Sequence, residues 1–361
     1  MRTAPVPEQP RAEASVARAP RLLLVRLSAI GDCLHALPVA VELRRRLPDA
    51  YIGWAIEESG HRLLRGHPAV DRFHLYPRDS RMTRIAGELV ELRRELRAAR
   101  YDVALDLQGL TKSGLVAWLS GAPRRVSLPP PDRRELNRLF TNEVVAVPAA
   151  SRHVVDRNLT LLRSVGLDAP ARGRFELGAP QPSEALAPFV ASLLDRGGFA
   201  VVHAGAAWPT KVWPPASLAL VARGLVDRWG LCVAVTWGGE AERPLAREVV
   251  RGAQRDDVVE APPTDLPDLA ALVGGSSLFV GGDTGPMHLA VALDVPTVAV
   301  FGPTDPERNG PYGQGDLAVT AEVELSCRPC WRRSCARGDH ACLAQLDAEQ
   351  VLTACARRLQ L

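Results

Sequence analysis

A chain of 361 residues is longer than one ordinary core accommodates and fits two domains of the usual size. With 47% hydrophobic and 24% charged residues it has the composition of a soluble globular protein, and a net charge of +3 is too small to point to nucleic acid as a partner. No apolar run reaches the roughly 18 residues that a membrane span needs. Residues 1 to about 20, rich in Pro, Ala and Arg, lack the apolar centre of a signal peptide and read as a disordered tail.

From residue 21 the pattern is a repeated alternation of short apolar strands and amphipathic helices, the rhythm of a parallel sheet. RLLLVRL predicts a strand over 21–27, followed by a turn over 28–32 and a helix over 33–46. Strands follow over 51–56 and 103–107, with helices over 83–99 and from about 112. Weaker strands are expected over 126–127 and 144–147, and a helix over 153–165. The stretch 166–187, rich in Pro, Gly and Ala, reads as a linker. The pattern then restarts, with strands over 200–203, 232–237, 258–260, 278–281 and 297–301 and helices over 215–229, 242–252, 265–273 and 286–293. The expected architecture is α/β, with two doubly wound, Rossmann-like domains over 21–180 and 181–345 facing across a cleft, and a C-terminal helix over 346–361. In such sheets ligands sit beyond the carboxyl ends of the strands.

Of the 44 cationic residues only Lys112 and Lys211 are lysines; the other 42 are arginine. Where arginine is the default, a lysine marks a place that wants a compact ammonium, or has survived by chance. Seven cysteines without an export signal suggest a reducing compartment.

Six segments can carry chemistry. SLFVGGDTGPMHLAVAL (277–293) runs a strand into paired glycines and starts a helix at Pro286. Glycine admits a ligand close to the backbone, and a helix N-terminus suits a diphosphate, which makes Asp283, Thr284, Gly285 and His288 candidates for an anion site. The alternative is a plain turn capped by Asp283 or Thr284. VVHAGAAWPTKVWPP (201–215) places Lys211 in a small-residue loop after a strand, where it can neutralise a departing phosphate or merely be a solvated cation. In VRLSAIGDCLHALP (25–38), Asp32 is either a helix N-cap or a general base at the cleft mouth, and His35 reads as packing or support. LDLQGLTKSG (105–114) offers Lys112 and Ser113 to an anionic group, with Arg62, Arg65 and Arg78 as further loop cations. In TWGGEAER (236–243), Glu240 or Glu242 can hold ribose hydroxyls or serve a helix dipole.

The last segment, CRPCWRRSCARGDHAC (327–342), presents Cys327, Cys330, Cys335 and Cys342, with His340, as candidate zinc ligands, although only the first pair has the Cys-x-x-Cys spacing. Free thiols or a redox pair are the alternatives. Cys33, Cys232 and Cys355 read as small core residues. There is no GxGxxG after the first strand, no GxxxxGK[ST] and no GxSxG, so dehydrogenase, P-loop and hydrolase-elbow readings lose support.

Taken in order, SAIGDCLHALP, DLQGLTKSG, HAGAAWPTKVWP, TWGGEAER, GGDTGPMHLAVAL and VFGPTDPERNGPYG resemble the motifs of glycosyltransferase family 9, the ADP-heptose:lipopolysaccharide heptosyltransferases, over roughly residues 21–345. The first half is most similar to heptosyltransferase I, and the cysteine-rich tail to heptosyltransferase II. The resemblance implies a GT-B fold and an inverting transfer that needs neither metal nor cofactor. It implies Asp32 as the base and Lys211 beside the donor diphosphate. Asp283, Thr284, Gly285 and His288 would form the donor loop, with Glu242, or its rival Glu240, near the ribose. Lys112 and Ser113 would lie on the acceptor side, in an acceptor domain over 21–180 that faces a donor domain over 181–345. The implied partners are ADP-heptose and a lipid-linked oligosaccharide, Kdo-lipid A or heptosylated core. The protein would then be cytoplasmic and peripheral at the inner membrane, with no nucleic acid involved. A transferase or epimerase for another nucleotide sugar, or a non-catalytic nucleotide-sugar binder, are the competing expectations.

Overall fold

The computed structural model describes residues 18–77 and 82–359. Most of the expected tail, residues 1–17, and Arg78 lie outside the described residues. Strands β1 (Arg21–Val25), β2 (Tyr51–Ile56), β3 (Arg72–Leu75), β4 (Val103–Asp106), β5 (Arg124–Ser127) and β6 (Glu143–Val144) form one parallel sheet in the order β3-β2-β1-β4-β5-β6. Strands β7 (Phe199–His203), β8 (Cys232–Thr236), β9 (Val258–Glu260), β10 (Leu278–Gly282), β11 (Thr297–Val300) and β12 (Leu317–Val319) form a second parallel sheet in the order β12-β11-β10-β7-β8-β9. Numbered within its own half, each sheet has the Rossmann order 3-2-1-4-5-6. No sequence repeat announces this; the βα rhythm alone does.

β1 shows why these segments become central strands. Its register sets Leu24 opposite both Trp54 and Leu105, and Leu22 to Val25 are all fully buried. A parallel strand covered by helices on both faces has no solvent side, hence the unbroken apolar run. Successive side chains still alternate: Leu22 and Leu24 enter one core, Leu23 and Val25 the other. The first of these cores is shared between the two halves. It joins Leu34, Leu37 and Val41 of the helix Ile30–Arg46 to Met287 and Leu289 of the helix Gly285–Ala292 and to Phe279 of β10. The far face of the second sheet has its own core, which the C-terminal helix Ala348–Leu359 closes with Val351, Leu352 and Cys355.

Three differences from the sequence reading have simple causes. β3 and the helix Glu58–Leu64 were not foreseen, because an edge strand with exposed Arg72 and Leu75 lacks the apolar run that marks a central one. The helix expected from Cys33 begins at Ile30, as the Gly31-Asp32 pair lies inside the first turn. The unforeseen helix Ala187–Asp195 starts where the expected linker ends, because Val190 and Leu193 on one side of it are buried in the shared core. Among the described residues no helix is long and apolar enough to cross a membrane.

Phe279 is fully buried in the core that both halves share. Replacing it by alanine should cost about 3–5 kcal/mol, read as a lowered midpoint in urea denaturation followed by fluorescence.

Candidate active site

Both sheets place a topological switch point at their centre, β1 beside β4 and β7 beside β10. The carboxyl ends of these strands open toward one another. Asp32 sits in the first turn of the helix after β1, though not as its N-cap. Ala29 holds that position without a capping side chain, and its N–H donates back to Asp32 Oδ2 at 3.3 Å. The other carboxylate oxygen, Oδ1, lies 2.7 Å from Arg26 Nη2. Arg26 is fixed in turn by donating from Nη1 to the Leu107 carbonyl at 2.5 Å. Burial works against charge on Asp32, but the Arg26 guanidinium more than offsets it and holds the carboxyl well below the usual carboxylate range. Asp32 keeps 38% of its side chain exposed, so solvent still reaches it.

On the opposite wall, Lys211 ends a short 3-10 turn, Pro209–Lys211, and lies over the Trp208 ring at 4.5 Å. Its ammonium donates to Asp283 Oδ2 at 2.7 Å and reaches the Asp283 carbonyl at 3.3 Å. Asp283 follows β10 directly; Thr284 is the N-cap of the next helix, but neither side chain caps it. Burial raises the Asp283 carboxyl, yet His288 and Lys211 bring it far below its ordinary value. His288 Nε2 lies 3.5 Å from Asp283 Oδ1. Glu242 folds back to accept the Gly238 N–H at 2.8 Å, and burial raises its carboxyl. A side chain on Gly205 would overlap that carboxylate, which explains the small residue at the end of β7. Glu240, its rival in the sequence, instead points outward and pairs with Arg243 at 3.6 Å.

The two walls meet through histidines. His35 Nε2 contacts His288 Nδ1 at 3.0 Å, with the rings edge to face at 4.1 Å. His153, at the N-cap of the helix Val154–Leu159, stands edge-on to His35 at 5.9 Å. Burial and then the neighbouring His288 push His35 down to about 3, so its ring is neutral. A continuous line of polar groups thus runs Arg26, Asp32, His35, His288, Asp283, Lys211 from one half to the other. The approach requires Gly31, where a methyl group would sit 2.7 Å from His288 Cδ2. Behind the cleft the halves are held by Arg308 to Asp132 at 3.1 Å, by the Tyr312 hydroxyl to Asp156 at 2.5 Å, and by His153 Nε2 against the Gly310 carbonyl at 3.0 Å.

Lys112 lies at the mouth of the first sheet, donating to Glu57 Oε1 at 2.8 Å and to Ser28 Oγ at 3.1 Å. Ser113 is not presented to the cleft. It is fully buried, its hydroxyl shared between Asp106 Oδ2 and the Leu110 carbonyl, where it braces the loop after β4. Arg62 pairs with Glu58 on an exposed helix, and Arg65 lines a separate hollow with His67 and Glu176. Cys327, Cys330, Cys335 and Cys342 border one cavity of about 290 Å³ beside Thr210. Among the described residues, however, no group of three His, Cys, Asp or Glu is placed to hold a metal ion, so the zinc expectation finds no ligand geometry. Cys33, Cys232 and Cys355 are buried as expected. Arg26 and Glu57 were missed; the signal was available, since each follows the last residue of a strand at its carboxyl end, as Asp283 does.

The glycosyltransferase family 9 (heptosyltransferase) profile matches residues 89–340. The lipopolysaccharide heptosyltransferase 1 of Pseudomonas aeruginosa is 31% identical over 327 residues, covering 87% of each chain. The solved structure of the E. coli heptosyltransferase WaaC with ADP superposes with a TM-score of 0.74 at 27% identity, covering 94% of this chain and 99% of that one. The same enzyme with ADP-2-deoxy-2-fluoro heptose gives 0.72 at 26%, covering 93% and 99%. The two Rossmann-like sheets are those of a GT-B fold, and the chain is a glycosyltransferase that belongs to family 9, the heptosyltransferase family.

Proposed function

We propose that this enzyme transfers heptose from ADP-heptose to a lipopolysaccharide core acceptor, Kdo-lipid A or heptosylated core, in a single inverting displacement without a metal. The observation that supports this reading is the line of groups joining Asp32 of one half to Asp283 and Lys211 of the other: a carboxylate on one side faces a cation-bearing loop on the other. Residues 21–180 hold the acceptor, with Lys112 facing its anionic groups, and residues 181–345 hold the donor. The C-terminal helix Ala348–Leu359 packs on the sheet of the donor half. The enzyme works in the cytoplasm, touching the inner membrane from one side to reach its lipid acceptor.

The chemistry follows from the charges. The donor diphosphate lies at Lys211 and at the N-terminus of the helix Gly285–Ala292, whose free N–H groups and Thr284 meet the anion. Lys211 turns from Asp283 to the phosphates when donor binds, which frees the Asp283 carboxylate for sugar hydroxyls. Gly205-Ala206-Ala207 offers backbone N–H groups only, and Glu242 lies at the ribose end. The acceptor oxygen attacks the anomeric carbon, the bond to phosphate breaks, and ADP departs with the electron pair, its charge stabilised by Lys211. Once the attacking oxygen has begun to bond to carbon its proton becomes strongly acidic, so even a carboxylate held low by Arg26 can take it.

Incubating the protein with a panel of nucleotide sugars and Kdo-lipid A should release ADP from ADP-heptose and add one heptose to the lipid by mass spectrometry. Transfer from a different nucleotide sugar alone would overturn the donor assignment. Asp32→Asn should lower turnover by about 10²–10⁴-fold while leaving ADP-heptose affinity by calorimetry unchanged. Lys211→Ala should weaken ADP binding by about tenfold to a hundredfold, the loss of one charge-assisted contact to phosphate.

The low carboxyl of Asp32 also sets the pH response. As pH falls, the base is lost only when Asp32 protonates, so the rate should stay level from about pH 8 to about pH 5. Arg26→Leu removes the chief influence holding Asp32 down and leaves burial, which raises it, so the acid limb of the pH–rate profile should move upward into the measured range.

A further inference from the structure

The geometry points to His35 as the positioning residue of this reaction: its free Nδ1 receives, in a hydrogen bond, the proton that Asp32 draws from the acceptor hydroxyl. This rests on the reading of Asp32 as the base. His35 is 3% exposed, and its surroundings are nearly all accounted for. Asp32 and Arg26 lie on one side, His288 on the other, and His153 stands at its edge. One ring nitrogen, Nδ1, is buried without a hydrogen-bond partner, and it faces Asp32 Oδ1 across 3.9 Å.

The tautomers follow from the line of contacts. The Asp283 carboxylate only accepts, so the His288 Nε2 directed at it carries a hydrogen. Lys211 pairs with the other oxygen of the same carboxylate. With its hydrogen on Nε2, His288 presents Nδ1 as an acceptor. The partner at 3.0 Å, His35 Nε2, is then the donor, and His35 Nδ1 is a bare lone pair. Across the gap stands an ionised carboxylate, which also offers only lone pairs. Two acceptors face each other and the gap lacks one proton, which is why it stays at 3.9 Å.

The transfer step supplies that proton. As the acceptor oxygen bonds to the anomeric carbon and ADP leaves with the electron pair, the hydroxyl proton passes to Asp32. Its new O–H then donates to His35 Nδ1, which requires the gap to close by about 1 Å. The proton is held there until product leaves, and Asp32, open to solvent on its far side, returns it to water. The arrangement exists only while the halves are together, because the His35 tautomer is set by His288 of the opposite half. Base orientation is in this way tied to the donor wall through which Asp283 and Lys211 act.

The test is the single-turnover rate of heptose transfer with saturating ADP-heptose and Kdo-lipid A. His35→Gln keeps an amide N–H toward His288 and removes the lone pair facing Asp32. It should lower the rate by about tenfold to a hundredfold, leave the ADP-heptose dissociation constant within about twofold, and raise the solvent deuterium isotope effect. His35→Asn, which places an amide oxygen near the position of Nδ1, should recover most of that loss. A glutamine variant as fast as wild type, or two variants equally slow with donor binding lost in parallel, would overturn the proposal. If the glutamine variant does not fold, His35→Asn decides alone: a rate within about fivefold of wild type supports the role, and a hundredfold loss refutes it. Asp32→Asn separates the two readings. If it retains transfer, the base assignment itself fails; if it is inactive while His35→Gln is unimpaired, only the role of His35 fails.

Discussion

The contact between His35 and His288 at 3.0 Å is where the two halves of this molecule become one site. Each ring stands one turn into a helix that leaves the central strand of its own sheet, so each lies above a topological switch point. Bringing two helix N-termini this close sets positive ends against each other, and the structure compensates with carboxylates. Asp32 occupies one first turn and Asp283 immediately precedes the other helix, each paired with its own cation, Arg26 and Lys211. The neutral His35 imidazole between these two ion pairs separates the charges without adding a buried ion.

That constraint reaches into the fold. The shared hydrophobic core behind the histidines, with Leu34, Leu37, Met287 and Leu289, holds the same two helices in contact along their length. The ion pairs around Asp132 and the Tyr312–Asp156 bond tie the rear of the cleft. The two walls are therefore built on rigid elements, with loops carrying Lys211, Thr284 and the small residues after β7. Such a division suits a transferase that must exclude water from a reactive donor.

The cysteine segment stands apart from this logic. Its four thiols surround a hollow next to Thr210, one residue from Lys211, yet they do not converge on a common point. Ser113 teaches a similar lesson: a polar residue in the right loop was turned inward to satisfy Asp106, because a buried carboxylate needs every donor the loop can supply.

Much of this was readable in the chain itself. The apolar strands, their helices and the division into two doubly wound halves follow from periodicity, since a strand covered on both faces carries an unbroken apolar run, as Leu22–Val25, Phe199–Val202 and Leu278–Val280 do. The glycine-rich strand ends and the two lone lysines were visible as features of loops that follow strands, and the ordered motifs identified the family. Pairing across the cleft was not readable. Nothing local distinguishes His35 from a packing residue, Glu242 from Glu240, or Ser113 from a ligand contact, because each outcome depends on which side chain another part of the chain brings within about 3 Å. Local sequence governs backbone periodicity, but hydrogen bonds between residues as far apart as 35 and 288 exist only once the two sheets have packed.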